Sequence, residues 1–269
     1  MTDGPGGRLA GRRLLVLVPE GGGGRLVGLL EAEHAQVEVE SLTRSESLDP
    51  EQLRDVDEWL DGRRTADWIV LSSAEGVRRL AGRAAAIAVD LLSRLAAPGR
   101  LAAIGPATAR ALTELGRPPD LVADEARSEG LAAALIEAGP SELAGRSILV
   151  VRALEGRTEL IEALTRAGAH ARLAPVYRTV MIPGAVERVA RRLGATPSAY
   201  DLLVVTSGAP LRSLAGALPM GDRGRISVAA LGPVTADVAR ELGFTAAVTG
   251  RGGSLENLTS AIIDHESTR

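Results

Sequence analysis

The chain has 269 residues, 45% hydrophobic and 24% charged, enough for two domains that each bury a core. It contains no cysteine, and all 31 of its basic residues are arginine, which excludes disulfides, thiolate nucleophiles, Cys-ligated metals, lysine Schiff bases and Walker-type phosphate loops. A net charge of −3 and an aromatic content of 2% argue against nucleic acid and anionic membranes as partners.

Residues 1–10 read as a flexible leader without an apolar signal core. Strands are predicted at 14–18, 37–42, 68–72, 101–104, 121–123, 148–151, 171–177, 202–205, 227–231 and 246–249. Between them apolar residues recur at helical spacing, as in Leu131, Leu135 and Ile136. Most strand runs are apolar throughout, as expected of strands covered on both faces. Strand–helix alternation of this kind predicts an α/β protein with parallel sheets flanked by helices. No run is long enough to span a membrane, so a cytoplasmic protein is expected.

Three blocks of the sequence recur in the same order. Residues 11–18 match 145–152, and 67–82 match 201–216, both offset by 134; residues 101–116 match 228–243, offset by 127. Two copies are too few for a solenoid, so the repeat predicts two similar domains.

The repeat carries three kinds of strand-to-helix turn. One holds Ser72, Ser73 and Ala74, with Thr206, Ser207 and Gly208 as its copy. The second is Gly105-Pro106-Ala107-Thr108, with Gly232-Pro233-Val234-Thr235. The third opens a late helix at Ser128, with Ser254 as counterpart. Pro fits the first helical turn because its missing N–H is not needed there. Any one turn is explained by ordinary helix capping. Six turns in two copies, with free amides and positive helix ends, point instead to a shared polyanionic ligand. Metal sites are not expected, because His34, His170 and His265 lack partners at ligand spacing. Trp59 and Trp68 are expected to pack, and paired arginines such as Arg12-Arg13 to form solvated faces; Arg152, at a strand end, could reach a ligand.

The segment Val176-Tyr177-Arg178-Thr179, the two Gly-Pro-x-Thr-Ala turns, the Asp67–Val77 and Asp201–Leu211 strand-turns and the Ser128-Glu129-Gly130-Leu131 helix start together resemble uroporphyrinogen-III synthase, over residues 11 to 263. The resemblance implies a discontinuous domain of 11–42 plus 178–269, a second domain of 45–174, a two-stranded linker and a cleft between the domains. It implies a linear tetrapyrrole substrate, hydroxymethylbilane, with eight carboxylates, and ring closure to uroporphyrinogen III with loss of water, without metal or cofactor. Tyr177 would protonate the leaving hydroxyl; its alternative is a junction tyrosine that packs its ring. Ser72, Ser73, Ala74, Gly105, Thr108, Ser128, Ser207, Gly208 and Thr235 would grip the carboxylates, in an enzyme expected to be a monomer. The first turn, Pro19 to Gly24, departs from the Thr-Arg pair of many members; it lacks the third glycine of a dinucleotide fingerprint. A non-catalytic two-lobed protein that binds an anionic metabolite stands as the alternative reading.

Overall fold

The structure, a computed structural model, describes residues 7–97, 99–139, 143–156, 158–195 and 198–268. The chain divides into two compact units, residues 1–44 with 180–269 and residues 45–179.

The first unit is built on β1 (Arg13–Leu17), β2 (Gln36–Glu40), β9 (Leu202–Val205), β10 (Ser227–Ala230) and β11 (Thr245–Thr249). They form one sheet in the order β11-β10-β9-β1-β2, parallel at every pairing. The second unit carries β3 (Thr43–Glu46), β4 (Trp68–Leu71), β5 (Arg100–Ala103), β6 (Leu121–Val122), β7 (Ser147–Ala153) and β8 (His170–Met181). Their order is β3-β8-β7-β4-β5-β6, and β4 through β8 pair in parallel. The chain passes from unit to unit within β3 and within β8, which are hydrogen-bonded neighbours.

The sequence repeat is a structural repeat. Omitting β3, the second sheet runs 8-7-4-5-6 where the first runs 2-1-9-10-11. Its register repeats too: Leu71 faces Val151 as Val205 faces Leu17, each residue displaced by 134. Asp67 and Asp201 explain one recurring residue. Asp67 accepts the Ser147 N–H at 2.8 Å, and Asp201 accepts the Arg13 N–H at 2.8 Å, so each pins the start of the neighbouring strand.

The apolar runs are explained by cores on both faces. Along β1, Leu15 and Leu17 enter one buried cluster, and Leu14 and Val16 another. Along β4, Ile69 and Leu71 enter one cluster while Trp68 and Val70 enter the other. Each sheet is thus sealed by helices above and below, and the strand ends are left to carry chemistry. All ten expected strands are present. β3 is an additional strand; its sequence, Thr43-Arg44-Ser45-Glu46, has no apolar residue to signal it. β2 alternates polar and apolar residues because it is an edge strand.

Two expectations need correction. Residues 7–10 are not a flexible leader: Leu9 is fully buried, its N–H donates to the Glu33 carbonyl, and Arg8 pairs with Glu33. Residues 1–6 lie outside the described residues. Arg12 is not a solvated arginine either. Its Nε lies 2.9 Å from the carboxylate of Glu266, whose side chain is almost wholly enclosed. Trp59 and Trp68 pack as expected, each beneath an arginine, Arg94 and Arg100.

Candidate functional site

Parallel strands place all their following turns at one edge of the sheet. In an open α/β sheet the ligand crevice forms at that carboxyl edge, where successive strands depart in opposite directions. In the second unit that point lies between β4 and β7; in the first it lies between β9 and β1. The turns singled out by the sequence follow β4, β5, β6, β9, β10 and β11.

The β4 turn is the best defined. Ser72 donates its N–H to the Val151 carbonyl, so its amide is already engaged. Ser73 has extended backbone and caps the helix Ala74–Ala86, its Oγ accepting the Gly76 N–H at 2.9 Å. The same Oγ lies 3.2 Å from the hydroxyl of Tyr177. Ala74 opens the helix, whose first amides precede its intrahelical bonds. Glu75 in that first turn would oppose an anion. Burial works against its ionisation, but bonds from Arg79 and Arg78 outweigh it, hold the carboxyl below its ordinary range and neutralise it.

Tyr177 sits on β8, opposite Ala153 of β7. Its carbonyl accepts the Leu154 N–H at 2.8 Å, which fixes the backbone. The residue is 8% exposed; its ring belongs to the core that holds Leu71 and Val151, and its hydroxyl reaches Ser73 at the sheet edge. Thus β8, β7 and β4, neighbours in the sheet, bring together two residues 104 apart in sequence. Arg152 ends the same strand β7, half-buried, with Nη2 3.4 Å from the Gly156 carbonyl. Burial pushes its guanidinium down from its ordinary value, against the opposing pull of Glu159 and Tyr177.

The other positions divide. Gly105 and Gly232 open the helices Pro106–Glu114 and Pro233–Glu241, each with Pro in the first turn. Gly105 is also a packing residue, since an added Cβ would stand 2.6 Å from Ala126 Cβ. Gly208 likewise opens the helix Ala209–Ala217, and a Cβ there would meet Val238 Cγ1 at 2.8 Å. Ser207 is exposed beside it. Ser128 is the first residue of the helix Ser128–Glu137 rather than its cap, a role taken by Arg127; Ser254, its counterpart, does cap, accepting the Asn257 N–H. Thr108 and Thr235 are buried, 2% and 8% exposed, so their side chains are not the open hydroxyls expected. They sit one turn into their helices, facing inward like Leu112 and Ala236.

Sequence reasoning missed the Ser73–Tyr177 pair, which no local motif announces. The repeat offered an indirect signal. Tyr177 corresponds to Thr43, and Ser73 to Ser207, so only one copy combines a serine with a phenol.

Two open sheets of one topology, each with helix starts along its carboxyl edge, define a duplicated doubly wound α/β protein of the ligand-binding kind. The family model for uroporphyrinogen-III synthase HemD matches residues 9–259. The chain therefore belongs to the uroporphyrinogen-III synthase family, cyclising lyases of porphyrin biosynthesis.

Solved structures share the fold. A mutant uroporphyrinogen III synthase from the extremely thermophilic bacterium Thermus thermophilus superposes with a TM-score of 0.67 at 21% identity, covering 96% of this chain and 100% of its own. The wild-type protein from that organism gives 0.53 at 21% identity, covering 96% and 98%. The Helicobacter pylori uroporphyrinogen-III synthetase gives 0.58 at 14% identity, covering 96% and 100%. No curated protein matches the sequence significantly. Among the described residues, no helix is long and apolar enough to cross a membrane.

Proposed function

We propose that this chain closes hydroxymethylbilane to uroporphyrinogen III with Tyr177 as its acid and the carboxyl-edge turns as its carboxylate grip. The observation that carries the reading is the Tyr177 phenol held at the point where the strand order reverses, among strand ends that lead into helix starts.

The reaction begins with loss of the substrate hydroxyl. The phenol gives its proton to that oxygen, the C–O bond breaks, water leaves, and the attached pyrrole supplies the electron pair to form an azafulvene. Attack by the far end gives a spiro intermediate, which breaks and recloses with the last pyrrole inverted. The proton spent on water is recovered when the free α-carbon of the last pyrrole, having attacked in the reclosing step, loses its hydrogen. A phenol shielded from bulk water makes this transfer in a low local dielectric, where one aligned bond counts for more.

The remaining work is geometric. Free substrate cyclises unaided to the uninverted isomer, so the protein must hold both ends in one conformation. The helix starts at Ala74, Gly105, Ser128, Gly208 and Gly232 present amides suited to carboxylates. With Thr108 and Thr235 buried, the backbone carries this role at their turns. Arg152 adds one fixed positive charge beside Tyr177, suited to a carboxylate by its planar fork. We place the enzyme in the cytoplasm as a monomer.

Tyr177→Phe tests the acid role. Turnover is expected to fall by about a hundredfold, the low end for a lost proton donor, with KM little changed. An unaltered turnover would remove Tyr177 from the reaction.

A further inference from the structure

We propose that Ser73 is the positioning residue for Tyr177, donating its hydroxyl proton to the phenol oxygen and so turning the phenol proton toward the substrate. This rests on the reading of Tyr177 as the acid.

A serine hydroxyl has one proton and two acceptor lone pairs. One lone pair of Ser73 is engaged by the Gly76 N–H at 2.9 Å, which also fixes the rotamer. The Tyr177 oxygen lies 3.2 Å away, and either group can donate along that line. If Tyr177 donated inward, its proton would be held by Ser73 and withheld from the leaving hydroxyl. With Ser73 donating, the phenol proton is free, and the bond strengthens as proton transfer leaves negative charge on the phenol oxygen. An interaction that grows in this way favours the transition state over the bound substrate.

The duplicated unit supports the assignment. There the equivalent serine, Ser207, is exposed, and Thr43 stands in place of Tyr177. The helix beside it starts from Gly208 without a side-chain cap, so at this turn the serine cap belongs to the copy that holds the tyrosine. Ser73 is therefore a support for the phenol rather than one more hydroxyl for carboxylates.

The test compares Ser73→Ala, Ser73→Thr, Ser73→Asp, Tyr177→Phe and the Ser73→Ala/Tyr177→Phe pair by steady-state formation of type III uroporphyrinogen from hydroxymethylbilane. Ser73→Ala is expected to lower kcat about tenfold, the equivalent of one bond to a charged oxygen, with KM unchanged. Ser73→Thr keeps both cap and hydroxyl and restores most of the rate. Ser73→Asp keeps the cap but cannot donate, so it melts like the parent and turns over slowly. In the Tyr177→Phe background, Ser73→Ala has no further effect. A raised KM at constant kcat would make Ser73 a carboxylate contact and overturn the inference. So would an equal loss of rate with Phe at 177, or a wild-type kcat for Ser73→Ala beside a slow Tyr177→Phe enzyme. Full turnover of Tyr177→Phe would instead sink the acid reading and the inference with it.

Discussion

Asp67 and Asp201, 134 residues apart, perform one task twice: each carboxylate accepts the N–H that begins the neighbouring parallel strand, at 2.8 Å in both units. The arginine preceding each accepted amide repeats as well, Arg146 beside Asp67 and Arg12 beside Asp201. These pairs tie β4 to β7 and β9 to β1, the strands that flank the two reversal points. Replacing either aspartate with alanine is expected to lower the unfolding free energy by about 2 kcal/mol, the cost of a bond to a charged acceptor. The partners are not shared, so the double variant should show the sum. Denaturant melts of the two single variants and the double check this.

The glycine-rich first turn is a built turn. Gly23 opens the helix Gly24–Ala32 with φ of +85°, and an added Cβ would stand 2.8 Å from Val18 Cγ1. The Glu20 N–H donates to the Thr43 carbonyl, and the Gly22 N–H to that of Pro19. Gly23→Ala is expected to cost about 2 kcal/mol, from the left-handed backbone and the contact with Val18 together. Gly24→Ala meets open space and should cost far less. Thermal melts of the two variants compare them directly.

Strands such as β1, β4 and β9 were legible in the sequence because they are covered on both faces and read as apolar runs. The duplicated topology was legible because Leu71, Val151, Leu17 and Val205 keep both spacing and register. Residues whose roles depend on distant neighbours were not legible. Leu9 lies among glycines and arginines, and only the fold shows it closing the core beside Leu30 and Ile262. Thr108 and Thr235 looked like exposed helix-start hydroxyls, but the helical twist carries the third residue of each helix inward. Ser73 and Tyr177 meet through three adjacent strands, a relationship no local window contains.

Acid should loosen the second unit through Asp120. Burial opposes ionisation of this carboxyl, but the Leu101 N–H at 2.7 Å and Arg117 at 2.8 Å outweigh it and hold its pKa below the usual aspartate range. The unfolded chain then binds the proton more readily than the folded one. The stabilisation is complete above about pH 4 and is lost as pH falls through the lower folded value. Asp120→Asn should therefore be less stable near neutrality and should flatten the fall in stability below about pH 4. Urea melts from acid to neutral pH measure both slopes.

The most direct measurement is isomer analysis of the uroporphyrin obtained by oxidation after the protein has met hydroxymethylbilane. A protein that holds both ends of the substrate in one geometry yields the inverted type III ring ahead of the spontaneous background. Type I alone, at the rate seen without protein, would contradict the account.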